Sequence, residues 1–112
     1  MASELIDSID AENRRLATDI LLRARDLGVT LGSAESCTGG MIAAAITAIP
    51  GSSESFVGGI VSYWAEIKEA ALGVDARIIG EYGVVSCETA EAMAQGACRV
   101  LGCDYAIATT GI

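Results

Sequence analysis

The chain contains no histidine, one lysine, one proline, one tryptophan and one phenylalanine in 112 residues. Without histidine, neither a Ser-His-Asp nor a Cys-His triad can be assembled, and a catalytic base has to come from Lys, Tyr, Glu or Asp. Positive charge is also scarce: seven Lys and Arg face fifteen Asp and Glu, for a net charge of −8 and a pI near 4.3. Such a field repels nucleic acid and anionic membrane, so neither is expected as a partner. Four of the seven cations, Arg14, Arg15, Arg23 and Arg25, are interleaved with Asp19 and Asp26 on one segment, the pattern of a solvated helix face. The four cysteines form no CxxC pair. With no histidine to join them they make no zinc set, and buried free thiols are expected. The reading calls for no metal and no cofactor. No apolar run approaches the roughly 20 residues of a membrane span, and the acidic start lacks a signal peptide's basic segment. The expected location is cytoplasmic.

What is present is apolar: 52% hydrophobic residues against 20% charged, the composition of a packed globular protein. The length suits one domain spanning 1–112. Residues 10–27 place Leu16, Ile20, Ala24 and Leu27 on one helical face, ended by Gly28. Residues 29–35 read as a strand, and 39–49 as a helix apolar almost all round. The only proline opens the turn "PGSSES", and 58–64 reads as a second strand bounded by glycines. A short helix over 65–73, a helical turn or two over 75–83 and a short extended "VVS" follow. Ser86 then caps a helix whose stripe is Ala90, Met93, Ala94, Ala97, Val100 and Leu101. Residues 104–112 read as a strand running into a Thr-Thr-Gly turn. Strands alternating with helices predict a three-layer α/β/α fold with a mostly parallel, mixed sheet, whose ligands gather at the carboxyl ends of its strands. Three loops are expected there: Ser36 to Gly40, the stretch after Tyr63, and Thr109 to Gly111.

"SAESCTGG" (33–40) holds the first candidate. Ser36 lies at a strand-to-helix turn, where a hydroxyl is presented at a helix start whose N–H groups face a developing oxyanion. By spacing alone Ser36 or Thr38 could equally be a helix cap, since Glu35 breaks the G-x-S-x-G pattern of the nucleophile elbow. Cys37 is a rival nucleophile, since a thiol placed at a helix start attacks readily as its thiolate. Lys68, the only lysine, follows Tyr63 by five residues. It is either a solvated helix residue or, in a desolvated cleft, a general base with the phenol as relay. "PGSSES" and Thr109–Gly111 are either ordinary turns or nests for a polar ligand group.

Together and in order, "AESCTGG" (34–40), "PGSSESF" (50–56), "IVSYWAEIKEAALGV" (60–74), "YGVVSCETAEAMAQGA" (82–97) and "DYAIATTGI" (104–112) resemble the C-terminal domain of the CinA (competence/damage-inducible) family, which includes nicotinamide-nucleotide amidohydrolases. The resemblance implies hydrolysis of the carboxamide of nicotinamide mononucleotide to nicotinate mononucleotide and ammonia, within pyridine nucleotide recycling. It places the nucleophile on Ser36, the family's tyrosine on Tyr63, and the base or proton relay on Lys68. Substrate contacts fall on Thr38, Gly39, Gly40, Ser52, Ser53, Thr110 and Gly111. The sequence departs from the family at Trp64 and Ala65, where Ser-Asn is usual, and at Gly58, where arginine is common. In the family, the "TGI" strand end leads into an Ala-Gly-Pro loop and further elements. A sheet incomplete at its carboxyl-terminal side is therefore expected, belonging either to a truncated version of the domain or to one completed by association with another copy or a partner, with a homo-oligomer the expected state. The alternative is a nucleotide-binding or assembly domain that has lost turnover.

Overall fold

The computed structural model describes residues 2–112. In chain order it contains α1 (Ala2–Leu27), β1 (Leu31–Glu35), α2 (Met41–Thr47), a single 3-10 turn (Ser52–Glu54), β2 (Phe56–Val61), α3 (Ala65–Leu72), α4 (Ala76–Tyr82), α5 (Cys87–Leu101) and β3 (Tyr105–Ala108). The strands form one sheet in the order β2-β1-β3, and both pairings are parallel. Among the described residues the sheet is thus wholly parallel rather than mixed. The chain leaves β1 through α2 to reach β2 on one side, then returns through α3, α4 and α5 to place β3 on the other. β1 is therefore the point at which the winding reverses, and its carboxyl end opens into a crevice.

Two cores make the three layers. On one face Ala17, Leu21 and Ala24 of α1 and Ile46 of α2 pack with Leu31 and Phe56. On the other, Leu72, Met93 and Ala97 pack with Val74 and Ala34. All five residues of β1 are buried, yet none is large except Leu31 and Glu35. The small side chains follow from close approach of the covering layers. A Cβ on Gly32 would lie 2.8 Å from both Cys103 Sγ and a Leu101 methyl, and one on Gly96 would strike the carbonyl of Leu72. α5 can cross α3 and the sheet this closely only because those positions carry no side chain.

Several boundaries differ from the sequence expectation. α1 starts at Ala2, and it buries Ala17, Leu21 and Ala24 while Leu16 and Leu27 stay exposed. Small residues turned inward bring the helix close to the sheet. α2 begins at Met41 because Gly39 and Gly40 take left-handed φ of 61° and 106°. β2 ends at Val61, which frees Ser62 to Trp64 as a loop. "VVS" forms no strand, since Ser86 already caps α5 by accepting from the Thr89 N–H. α5 buries Thr89, Met93, Gly96 and Ala97, leaving Val100 exposed. The cysteines are free, but only Cys103 is buried; Cys37 and Cys87 are exposed.

Candidate active site

The carboxyl end of β1 is organised by an acid. Glu35 is buried, and its Oε1 accepts from Thr38 Oγ1 at 2.6 Å, Ile42 N at 2.9 Å and Gly40 N at 3.2 Å, while Oε2 accepts from Ala43 N at 3.0 Å. These donors include the N–H groups that a helix start leaves free, so Glu35 caps α2 from inside the fold. Burial by itself raises its pKa, but the Thr38 hydroxyl and the three N–H groups outweigh it and hold the carboxyl below the usual glutamate range. Glu35→Ala strips four half-buried donors of their acceptor, and an expected loss of about 2 kcal/mol or more in denaturant unfolding follows. The sign with pH is also set. A carboxyl with a lowered folded pKa binds fewer protons than in the unfolded chain, so its stabilisation is complete above the ordinary glutamate pKa and falls away as pH drops toward the folded value. The parent should lose stability over that acid window, and the alanine variant should lose less.

Glu35 fixes the turn that carries Ser36, which is itself buried. Lys68, on α3, has no exposed surface. Its Nζ lies 2.8 Å from Ser36 Oγ, 2.7 Å from the Ser62 carbonyl and 2.9 Å from the Tyr63 carbonyl. As an ammonium it donates to all three. As a neutral amine its two N–H groups satisfy the two carbonyls, and its lone pair is left to accept from the Ser36 hydroxyl. Among the described residues the one other acceptor for that hydroxyl, the Tyr63 carbonyl, is at 3.4 Å. Burial pushes the Lys68 amine below the usual lysine range, with the nearby Cys37 opposing it in part. No carboxylate forms an ion pair with Lys68 among the described residues.

The other anticipated residues divide into those drawn to this end of the sheet and those left elsewhere. Thr38 Oγ1 lies 2.9 Å from Thr109 Oγ1, tying the loop after β1 to the loop after β3. Gly111 approaches so closely that a Cβ there would lie 2.8 Å from Cys37 Sγ. Thr110 donates to the Val84 carbonyl at 2.8 Å. Gly39 and Gly40 form the turn between Ser36 and α2. The three loops that follow the strands therefore converge. Tyr63 joins the cluster through its main chain, while the residue as a whole is 67% exposed. Trp64 occupies the N-cap of α3 without making a side-chain cap bond, and the residue is 65% exposed. Ser52 and Ser53 lie in the turn before β2, and the Ser55 carbonyl accepts from the first residue of β1. They sit at the amino ends of the strands, about 16 Å of strand from Ser36. A single chain does not bring them to the Ser36 cluster.

The helix-start N–H groups expected to face an oxyanion are instead taken by Glu35. Among the described residues, the N–H groups of Cys37 and Thr38 have no partner in the chain, and they adjoin Ser36. The reading of the sequence treated Glu35 only as a departure from the nucleophile elbow. The signal for its role was an acid three residues before Thr38 and four before a glycine pair that starts a helix. No group of three His, Cys, Asp or Glu side chains could hold a metal ion among the described residues.

Comparison with known proteins gives a consistent result. The family model of the CinA C-terminal domain matches residues 13–112. A CinA-like protein of Citrifermentans bemidjiense is 52% identical over 91% of the chain, and one of Leptospira borgpetersenii is 54% identical over 75%. The chain spans 25% and 20% of the length of those two proteins, and 30% of a CinA-like protein of Parasynechococcus marenigrum. Among solved structures, the competence/damage inducible protein CihA of Agrobacterium tumefaciens superposes with a TM-score of 0.85 at 41% identity, covering 89% of this chain and 61% of that one. A CinA superfamily protein of Escherichia coli superposes at 0.86 with 31% identity, covering 88% of this chain and 58% of that one.

Proposed function

The chain belongs to the CinA C-terminal domain family, and on that premise we propose that it hydrolyses the carboxamide of nicotinamide mononucleotide to nicotinate mononucleotide and ammonia. The observation that carries this reading is the fully buried Lys68 amine 2.8 Å from Ser36 Oγ, with its other two hydrogen bonds spent on main-chain carbonyls. Ser36 Oγ attacks the carboxamide carbon as its proton passes to the neutral Lys68 amine. The oxyanion so formed takes hydrogen bonds from the unpartnered N–H groups of Cys37 and Thr38. Lys68 then returns the proton to the departing nitrogen, the C–N bond breaks and ammonia leaves. Water attacks the resulting Ser36 ester as its proton passes to Lys68, and Lys68 returns that proton to Ser36 Oγ as the acyl C–Oγ bond breaks, freeing the product acid, which ionises to the carboxylate. The Ser62 and Tyr63 carbonyls hold the amine in place through the cycle. Tyr63 adds its ring at the edge of the cluster, where it and Trp64 offer flat apolar surface to a pyridine ring.

The reaction needs Lys68 uncharged. Because burial lowers its pKa, kcat/KM is expected to rise with pH and to level off with a midpoint below the ordinary lysine value of about 10.4. Ammonia release from nicotinamide mononucleotide, measured across pH, tests both parts. No release above the blank at any pH sinks the proposed activity. Release with a flat profile removes Lys68 as the base.

A further inference from the structure

The end of α5 holds two of the four cysteines, and the way the helix stops brings them together. Gly102 closes it in a left-handed conformation, with φ 66° and ψ 31°. A helix closed in this way turns the residue after the glycine back over the residue four positions before the glycine, and their side chains meet. Those two residues are Cys103 and Cys98. Cys103 Sγ lies 3.9 Å from the Ala97 carbonyl, so the sulfur reaches back over the turn that carries Cys98. The chain beyond is pinned as well. The Asp104 carboxylate accepts from the Thr30 N–H at 2.9 Å, and the N–H groups of Asp104 and Tyr105 both donate to the Thr30 carbonyl at 3.1 Å. Burial pushes the Cys103 thiol above the usual cysteine range, and the adjoining Cys98 thiol pushes it further the same way.

The two thiols differ in access. Cys98 is half-buried, whereas Cys103 is 7% exposed and packs so tightly on β1 that a Cβ on Gly32 would lie 2.8 Å from its sulfur. A peroxide therefore meets Cys98 first. The enclosed Cys103 sulfur has no room for the added oxygen atoms of a sulfinic acid, but a bond to its neighbour adds no atom. Cys37 and Cys87 are exposed on other parts of the chain, and about 16 Å of helix separates Cys87 from Cys98.

We propose that Cys98 and Cys103 form a dithiol that a hydroperoxide closes to an intramolecular disulfide, a modification site at the α5–β3 corner. Cys98 sulfur attacks the hydroperoxide, the O–O bond breaks, and Cys98 becomes a sulfenic acid as an alcohol or water leaves. Cys103 sulfur then attacks the Cys98 sulfur, the S–O bond breaks and water leaves with the Cys103 proton. Each sulfur gives up one electron and the hydroperoxide takes two. The bridge ties the last turn of α5 to the start of β3. It does not rest on the Ser36 chemistry.

The reduced whole chain, treated with about two equivalents of hydrogen peroxide and then alkylated, is the test. Cleavage after Glu91 and Arg99 separates Cys98 from both Cys87 and Cys103. It is expected to give residues 92–99 joined to residues 100–112, at about 2 Da below the summed thiol masses and parted by dithiothreitol. Under the same treatment Cys98→Ser should leave Cys103 a thiol, and Cys103→Ser should let Cys98 pass on to the sulfinic acid. A Cys37→Ser, Cys87→Ser chain keeps only the pair, and its oxidised form should unfold about 5 °C above its reduced form, because the bridge closes a short loop that the fold already makes. A parent in which Cys98 and Cys103 stay unlinked overturns the proposal, whether they remain thiols, Cys98 goes on to the sulfinic acid, or either bridges to Cys37 or Cys87. So does an oxidised form that unfolds at or below the temperature of the reduced one.

Discussion

Ser36→Ala is expected to lower kcat for ammonia release from nicotinamide mononucleotide by a factor on the order of 10⁵, leaving little above background. Among the described residues Lys68 hydrogen-bonds no hydroxyl but that of Ser36: Thr38 is held by Glu35 and Thr109, and the Ser62 hydroxyl donates to the Glu35 carbonyl. Cys37 adjoins Ser36, but the lysine amine makes its hydrogen bond to the Ser36 oxygen. Cys37→Ala should therefore keep most of the activity. The fold should survive Ser36→Ala, because the Lys68 amine retains both carbonyl acceptors and Glu35 continues to cap α2. A thermal unfolding midpoint close to the parent's would separate lost chemistry from lost structure. Activity retained by Ser36→Ala and lost in Cys37→Ala would transfer the nucleophile to the thiol.

Lys68→Met carries the second large effect, a fall in kcat on the order of 10³–10⁴. Methionine fills nearly the same volume with an unbranched side chain, so α3 should dock as before, although the Ser62 and Tyr63 carbonyls lose their donor. Serine and lysine act as a unit, so the double variant should be hardly less active than Ser36→Ala alone. Stability offers a readout independent of turnover. In the folded parent the Lys68 pKa is depressed, so between that value and the ordinary lysine value of about 10.4 the unfolded chain binds more protons, and stability rises with pH. Below the depressed value both states carry the charge and the burial penalty stands in full. Unfolding in denaturant at neutral and alkaline pH should therefore show an alkaline gain in the parent that Lys68→Met lacks.

Much of the order of elements was legible because it rests on local patterns. Gly28 ends α1 in a left-handed conformation, Ser86 caps α5, and alternating strands and helices led to a mostly parallel three-layer fold. The failures were of range rather than type. β2 was placed two residues late because Phe56 and Val57 precede the glycines taken as its boundary. The inward face of α1 kept Ala24 but was otherwise rotated, since periodicity favoured Leu16 and Leu27 where the packing chose Ala17 and Leu21. The size of a side chain does not say how near a sheet will come.

The candidate site was legible in the same uneven way. The absence of histidine and the single lysine narrowed any base to a few residues, and the order of motifs pointed to Ser36 and Lys68 and to a family that the comparisons bear out. Those conclusions depend on residue identity and order, which the chain carries in one dimension. Their meeting at 2.8 Å does not. It depends on the reversal of winding at β1, on Glu35 spending its carboxylate on α2, and on two main-chain carbonyls that hold an amine away from water. Main-chain atoms are the same at every position, so their use at one site is invisible until the chain is folded. The same holds for Ser52 and Ser53, which the sequence grouped with Ser36 and the parallel sheet set at its opposite end. Residue type and order determined which groups were available for chemistry, and the tertiary structure decided which of them share a desolvated space, because burial and distance arise only from packing.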